Sequence, residues 1–217
     1  MDRYIIVESA HAFKRTNEKV LPDKVIFDAV IQTAEEKNRN GRVYHKKALD
    51  DALKAKMNYM ENSRGFVGEL DHPVITSSDK TVVDMRLSNV LWERVSHVIT
   101  KWWWEGNELW ATIESTLNGK GPEIVKIIKD NIPLGFSLRA LAQGNTMDNS
   151  GVTQISNIDY LVAYDAVTTP SHAVATMRKL NEERFYNITE SLNLNFLKQD
   201  NIDNNISKVL SLLEKWG

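Results

Sequence analysis

The chain has 217 residues, 42% hydrophobic and 26% charged, a globular balance with room for one substantial core or two modest ones. Its 27 Lys and Arg against 29 Asp and Glu leave a formal net charge of -2, too balanced for a protein whose main work is coating nucleic acid. With no cysteine, thiol nucleophiles, disulfides and thiolate metal sites are excluded. No leader-like opening and no apolar run of the ~18 residues a membrane span needs are present, so the expectation is a soluble cytoplasmic protein.

Arg3 to Glu8 is rich in β-branched and aromatic residues and predicts an opening strand. Val25 to Thr33 is a second apolar run, followed by a charged loop that turns at Asn40-Gly41. Lys46 to Met60 places Ala48, Ala52, Leu53 and Met57 near helical spacing and predicts one amphipathic helix, stopped by Ser63-Arg64-Gly65. Phe66 to Leu70 predicts a strand running into Asp71-His72-Pro73, where the proline disfavours helix at His72 and removes a backbone donor. Residues 74–84 are mostly polar and predict a loop.

Leu87 to Ser115 reads as strands, the last two joined by a tight hairpin at Gly106-Asn107. Strand alternation sets Trp102 and Trp104 on one face and Trp103 on the other, with Trp110 on the partner strand. Pro122 suits the first turn of a helix whose apolar face is Ile124, Val125, Ile127 and Ile128. Pro133 to Leu141 and Ile155 to Thr168 predict further strands on either side of a turn at 145–151. From Leu180 the chain becomes Asn-rich and ends in Val209, Leu210, Leu212, Leu213 and Trp216 at helical spacing, which predicts a linker and a terminal helix.

The five histidines are His11, His45, His72, His97 and His172, and no two stand at the i, i+4 spacing of a helical zinc motif. Gly119-Lys120-Gly121 lacks the glycines and the Lys-Ser/Thr ending of a phosphate-binding loop. Serine hydrolysis needs a hydroxyl, an imidazole to take its proton, a group that orients the imidazole, and donors for the oxyanion. His72, at the end of an apolar strand, is a candidate base, and Ser137 in Gly135-Phe136-Ser137-Leu138-Arg139 a candidate nucleophile. A surface turn at His72 and a backbone-bonded hydroxyl at Ser137 account for the same residues, and Gly-Phe-Ser-Leu-Arg is not the Gly-x-Ser-x-Gly elbow of hydrolases. Spacing alone therefore reaches a soluble α+β domain with a hydrolase as one possibility.

Four blocks, in order, change that reading: Gly68-Glu69-Leu70-Asp71-His72-Pro73, Arg94-Val95-Ser96-His97, Gly135 to Arg139, and Asp165-Ala166-Val167-Thr168-Thr169-Pro170-Ser171. Together with Asn38 to Tyr44 they resemble the prohead core proteases of T-even-type tailed phages, over about residues 4–178. The resemblance implies an α+β fold related to the herpesvirus assemblins, a small β-barrel or antiparallel sheet ringed by helices. It divides the chain into a protease domain, 1–179, and a tail, 180–217.

It also implies a serine endopeptidase that cleaves scaffold or core proteins and the major capsid protein inside the prohead, in the host cytoplasm. Ser137 would be the nucleophile and His72 the general base, with no metal or organic cofactor. Leu138 stands where many relatives carry a second serine.

For the third member the period of two puts Asp159 and Asp165 on one strand face, so either could reach the imidazole; the resemblance ranks Asp165 first, as part of the Asp-Ala-Val block, and the assemblins' second histidine keeps His97 as a third choice. Arg139 would share the face of Ser137 and polarise the carbonyl, or else pair with Asp159 or Asp165. The tryptophans line a substrate groove, fill hairpin core or make a protomer contact, and Arg39, Arg42, Lys46 and Lys47 form either an acidic-scaffold site or a solvated loop. The resemblance further suggests self-cleavage after Glu182, Glu190 or Glu214, and activity that waits for homo-oligomerisation or assembly. No specific nucleic-acid partner is expected. The competing expectation is a catalytically idle scaffold or core protein of the same shell.

Overall fold

The computed structural model describes residues 1–9, 15–38, 40–59, 63–146, 151–167 and 176–180. In chain order the strands and helices are β1 (Asp2–Ser9), β2 (Arg15–Val20), β3 (Val25–Thr33), β4 (Arg42–Tyr44), α1 (Lys46–Tyr59) and β5 (Phe66–Glu69). There follow α2 (Lys80–Ser88), a 3-10 turn at Trp92–Arg94, β6 (Val95–Glu105), β7 (Glu108–Ser115), α3 (Gly121–Lys129), β8 (Gly135–Thr146), β9 (Thr153–Val167) and β10 (Thr176–Leu180). The strands make two five-stranded sheets, ordered β10-β1-β8-β9-β4 and β2-β3-β7-β6-β5. Asn181–Gly217 lies outside the described residues, and with it the tail's expected linker, helix and cleavage sites.

Alternation builds the core. Val25, Phe27, Ala29 and Ile31 of β3 point inward with Leu109, Ala111 and Ile113 of β7, and they meet Phe136, Leu138, Ala140 and Ala142 of β8. Leu49, Ala52 and Leu53 of α1 and Ile124, Val125 and Ile128 of α3 join the same cluster. Ser137, Arg139 and Leu141 of β8 therefore face away from that layer, yet they too are fully buried. On that side α2 packs against β1 and β8.

The expected α+β class holds with largely antiparallel sheets, and among the described residues they do not close into a barrel. Two open sheets are present, and the isolated parallel bridge Leu70–Ala166 is the backbone pairing that ties them at one corner. A closed barrel would need a continuous ladder between edges. The expected loop holds for 74–79 but not for 80–84, which are helical, and the strand expected from Leu87 is also corrected. Asp79 caps a helix by accepting from the N–H groups of Thr81 (2.7 Å) and Val82 (3.2 Å), and strand structure begins only at Val95. Polar composition hid this helix because its anchorage is an ion pair rather than an apolar stripe. The short β4 and the largely exposed β2 carry too little alternation to be legible.

Trp102 and Trp104 pack against the core, while Trp103 stacks on Trp110 across the hairpin, ring centroids 6.3 Å apart at 18°. This is hairpin packing rather than a groove. Arg42 is buried, Lys46 Nζ donates to the Gly106 carbonyl at 2.9 Å, and Lys47 pairs with Asp51, so these cations do not form a free basic surface; Arg39 lies outside the described residues.

Candidate active site

Ser137 sits near the start of β8, directly opposite Asp165 of β9. One row further toward the strand start, Phe136 pairs with Ala166, and Ala166 bridges to Leu70 at the end of β5. Asp71 continues this tie, its N–H donating to the Ala166 carbonyl at 2.7 Å. It does so with φ +69, a left-handed turn that aspartate tolerates better than most residues. The turn carries His72 off the strand, and His72 N–H donates back to Asp71 Oδ1 at 3.0 Å. Serine strand and histidine strand are thus joined through β9 by one continuous row of backbone contacts.

The Ser137 hydroxyl has 0% exposure and no hydrogen-bond partner among the described residues. Buried hydroxyls are normally satisfied, so an orphan one calls for a cause. His72 is partly buried; burial pushes its imidazole below the ordinary value, Asp71 pulls it up, and the Arg139 charge presses it down again. A neutral imidazole is the form a general base requires.

Arg139 is 0% exposed and occupied on every side. Its Nε lies 2.5 Å from Asp165 Oδ2, off hydrogen-bond alignment, and its Nη2 donates to Asp165 Oδ1 at 3.0 Å. Nη1 donates to the carbonyls of Asn89 (2.9 Å) and Leu87 (3.4 Å), and Nη2 stands 3.4 Å from Glu69 Oε1. Of the two expectations for Arg139, carbonyl polarisation and an ion pair, the geometry supports the ion pair, and with Asp165 rather than Asp159.

Asp165 is spent likewise: besides Arg139 it accepts from the Glu69 N–H at 3.0 Å. Burial raises its carboxyl to about 6, against the opposing pull of Arg139. Asp159 is elsewhere. Register shifts between Arg139 and Ala140 and between Leu141 and Ala142 add extra residues on β9, and Asp159 is one of them. These shifts break the period of two that put both aspartates on one face, leaving Asp159 exposed among Gln143 and Asn157.

His97 has both nitrogens engaged. Nε2 must carry the proton to donate to the Tyr164 carbonyl (3.1 Å), which leaves Nδ1 to accept from the Ser96 hydroxyl (2.9 Å). Burial drives its imidazole down to about 4, only partly offset by the Tyr164 contact. The ring lies against Gly68, where a Cβ would come within 2.5 Å of it, and edge-on to Phe136. It fastens the two sheets and has no free nitrogen to orient His72.

Two residues without an assigned role complete the cluster. Glu69, fully buried, accepts from both terminal nitrogens of Arg86 (3.0 and 2.5 Å) and from Leu91 N–H (2.6 Å), with Arg94 Nε at 3.8 Å. Burial raises the Glu69 carboxyl, but Arg86, Arg139 and the Leu91 N–H together hold it below the usual range. An acid in an otherwise apolar strand just before His72 was the available signal for Glu69; Arg86 left none, being in a segment that reads as loop. The three guanidiniums and two carboxylates leave one net positive charge behind Ser137 and His72.

An orphan serine hydroxyl and, on the segment tied to its strand through Ala166, an imidazole that burial holds below its ordinary value agree in class with a serine peptidase of viral assembly. Residues 1–191 match the family described as prohead core protein serine protease, and the chain belongs to that family. Over 164 residues it is 27% identical to the prohead core protein protease of Enterobacteria phage T4, covering 73% of this chain and 71% of the relative. The structure of the bacteriophage T4 capsid assembly protease, gp21, superposes with a TM-score of 0.59 at 20% identity, covering 77% of this chain and 99% of that one, a likeness of fold.

Proposed function

We propose that the chain is a serine endopeptidase in which Ser137 is the nucleophile and His72 its general base. The observation that carries the reading is the Ser137 hydroxyl, buried and unpartnered among the described residues, on the strand tied through Ala166 to the His72 turn. His72 takes the hydroxyl proton as Oγ attacks the peptide carbonyl, then returns it to the leaving amine. Water, activated by the same imidazole, releases the acyl group.

Arg139, Asp165 and Glu69 act as positioning residues, locking β8, β9 and β5 together so that the two reacting groups keep their register. The substrates proposed are the core and capsid proteins of the prohead, as the family description and the names of the T4 relatives suggest.

A hydroxyl with no exposure is out of reach of a substrate carbonyl, which supports a chain that is latent until assembly or oligomerisation opens the site. The test is a fluorophosphonate label followed by peptide mapping, with scaffold processing followed in Ser137→Ala and His72→Ala. Modification of Ser137 in assembled particles and processing lost by orders of magnitude in both variants is the expected result. Processing that continues unchanged in both, with normal folding, would instead make the domain a structural part of the shell.

A further inference from the structure

The turn that delivers His72 is built by the residue before it. Upstream, Arg94 holds Leu70 on both backbone sides: the Leu70 N–H donates to the Arg94 carbonyl at 3.0 Å, and the Leu70 carbonyl accepts from Arg94 Nη2 at 2.8 Å. The Asp71 N–H is spent on the Ala166 carbonyl. Downstream, Pro73 is buried, has no N–H to give, and confines His72 to extended backbone. Between these two anchors the direction of the chain is set at Asp71, where φ is +69.

Asp71 is exposed, so packing does not account for its side chain. Its Oδ1 accepts the His72 N–H at 3.0 Å, the backbone donor left over between the bonded Asp71 N–H and Pro73. Aspartate and asparagine tolerate left-handed backbone because a short polar side chain can bond locally. Alanine is strained there, and glycine takes the turn but offers no acceptor.

We propose that Asp71 is the positioning residue of His72: its left-handed turn points the chain out of β5, and its Oδ1, closed on the His72 N–H, fixes that direction. The role rests on the reading of Ser137 and His72 as the reacting pair. The carboxylate that attends the histidine then belongs to the histidine's own turn, while Asp165 stays with Arg139 and Asp159 with Gln143. It also acts as a charge. Burial lowers the His72 imidazole, the Asp71 carboxylate pulls it back up, and Arg139 of β8 lowers it again. Arg94 of the 3-10 turn is engaged on the Leu70 carbonyl, and Glu69 of β5 and Arg86 of α2 hold each other.

The test is the rate at which a fluorophosphonate modifies Ser137 in assembled particles from pH 5 to 8, for the wild type, Asp71→Asn, Asp71→Gly and Asp71→Ala, with folding checked by thermal melts. Asp71→Asn keeps the turn and the acceptor, so its rate at pH 8 should match the wild type. Its acid limb should move to lower pH, because the charge that favours the protonated ring has gone. A merely structural turn would leave that limb in place. Asp71→Ala should be about tenfold slower at every pH, the penalty of left-handed backbone read as a rate. Asp71→Gly should fall between Asp71→Asn and Asp71→Ala.

Asp71→Ala modified as fast as the wild type, Asp71→Asn as slow as Asp71→Ala, or an acid limb unmoved in Asp71→Asn would each overturn the role. If Asp71→Ala does not fold, Asp71→Gly modified as fast as Asp71→Asn overturns it. Wild-type particles left unmodified at Ser137 would instead end the serine reading, and this role with it.

Discussion

Replacing His97 by glutamine separates a structural histidine from a catalytic one. The amide can still donate to the Tyr164 carbonyl but cannot titrate. In the wild type, burial holds the His97 imidazole at about 4 instead of 6.5, so between those values the unfolded chain binds the extra proton and the folded chain does not. Stability must therefore rise with pH across this window and be lost as pH falls through it. Two and a half units correspond to about 3 kcal/mol in full, of which about 2 kcal/mol falls between pH 7 and pH 5.

Asp165 works in the opposite sense. Its carboxyl, raised to about 6, stabilises the fold below about 4 and loses that contribution as pH rises to 6. Asp165 is present in both proteins, so its effect cancels in the difference. Urea denaturation of wild type and His97→Gln at pH 7, 6 and 5 should show the variant gaining about 2 kcal/mol on the wild type over that range. Parallel pH profiles would refute the buried, doubly bonded histidine, and a His97→Gln protein that folds but loses peptidase activity would restore it as a candidate orienting group.

Arg139→Met strands Asp165 in the interior, while Glu69 keeps Arg86 and the Leu91 N–H, and should cost about 3–5 kcal/mol by chemical denaturation, part of it recovered when Asp165→Leu is added. Gly68→Ala sets a methyl against the Tyr164 carbonyl and 2.5 Å from the His97 ring; a loss of about 3 kcal/mol, the upper end for overpacking, is expected in thermal melts. Because burial and Arg139 depress His72, the acid limb of kcat/KM for assembled enzyme should fall below pH 6.5, and Arg139→Met should move it upward if the variant assembles.

Sequence by itself determined the elements whose stability is local or periodic. The hairpin at Gly106-Asn107, helix α1 with Ala52 and Leu53 inward, helix α3 opened by Pro122, and the apolar strands β3, β8 and β9 follow from spacing and turn chemistry. The order of four short blocks was enough for the family resemblance, and the match across residues 1–191 bears it out. Helix α2 was hidden because its anchor is the Arg86–Glu69 pair, which exists only after β5 and α2 meet.

The parity of Asp159 and Asp165 was misread because the extra residues of β9 are a property of its pairing with β8, not of β9 alone. What Arg139 and Asp165 do was likewise open in the sequence. A guanidinium and a carboxylate with zero exposure must find each other, and only the tertiary structure supplied the low-dielectric pocket that makes their pairing compulsory.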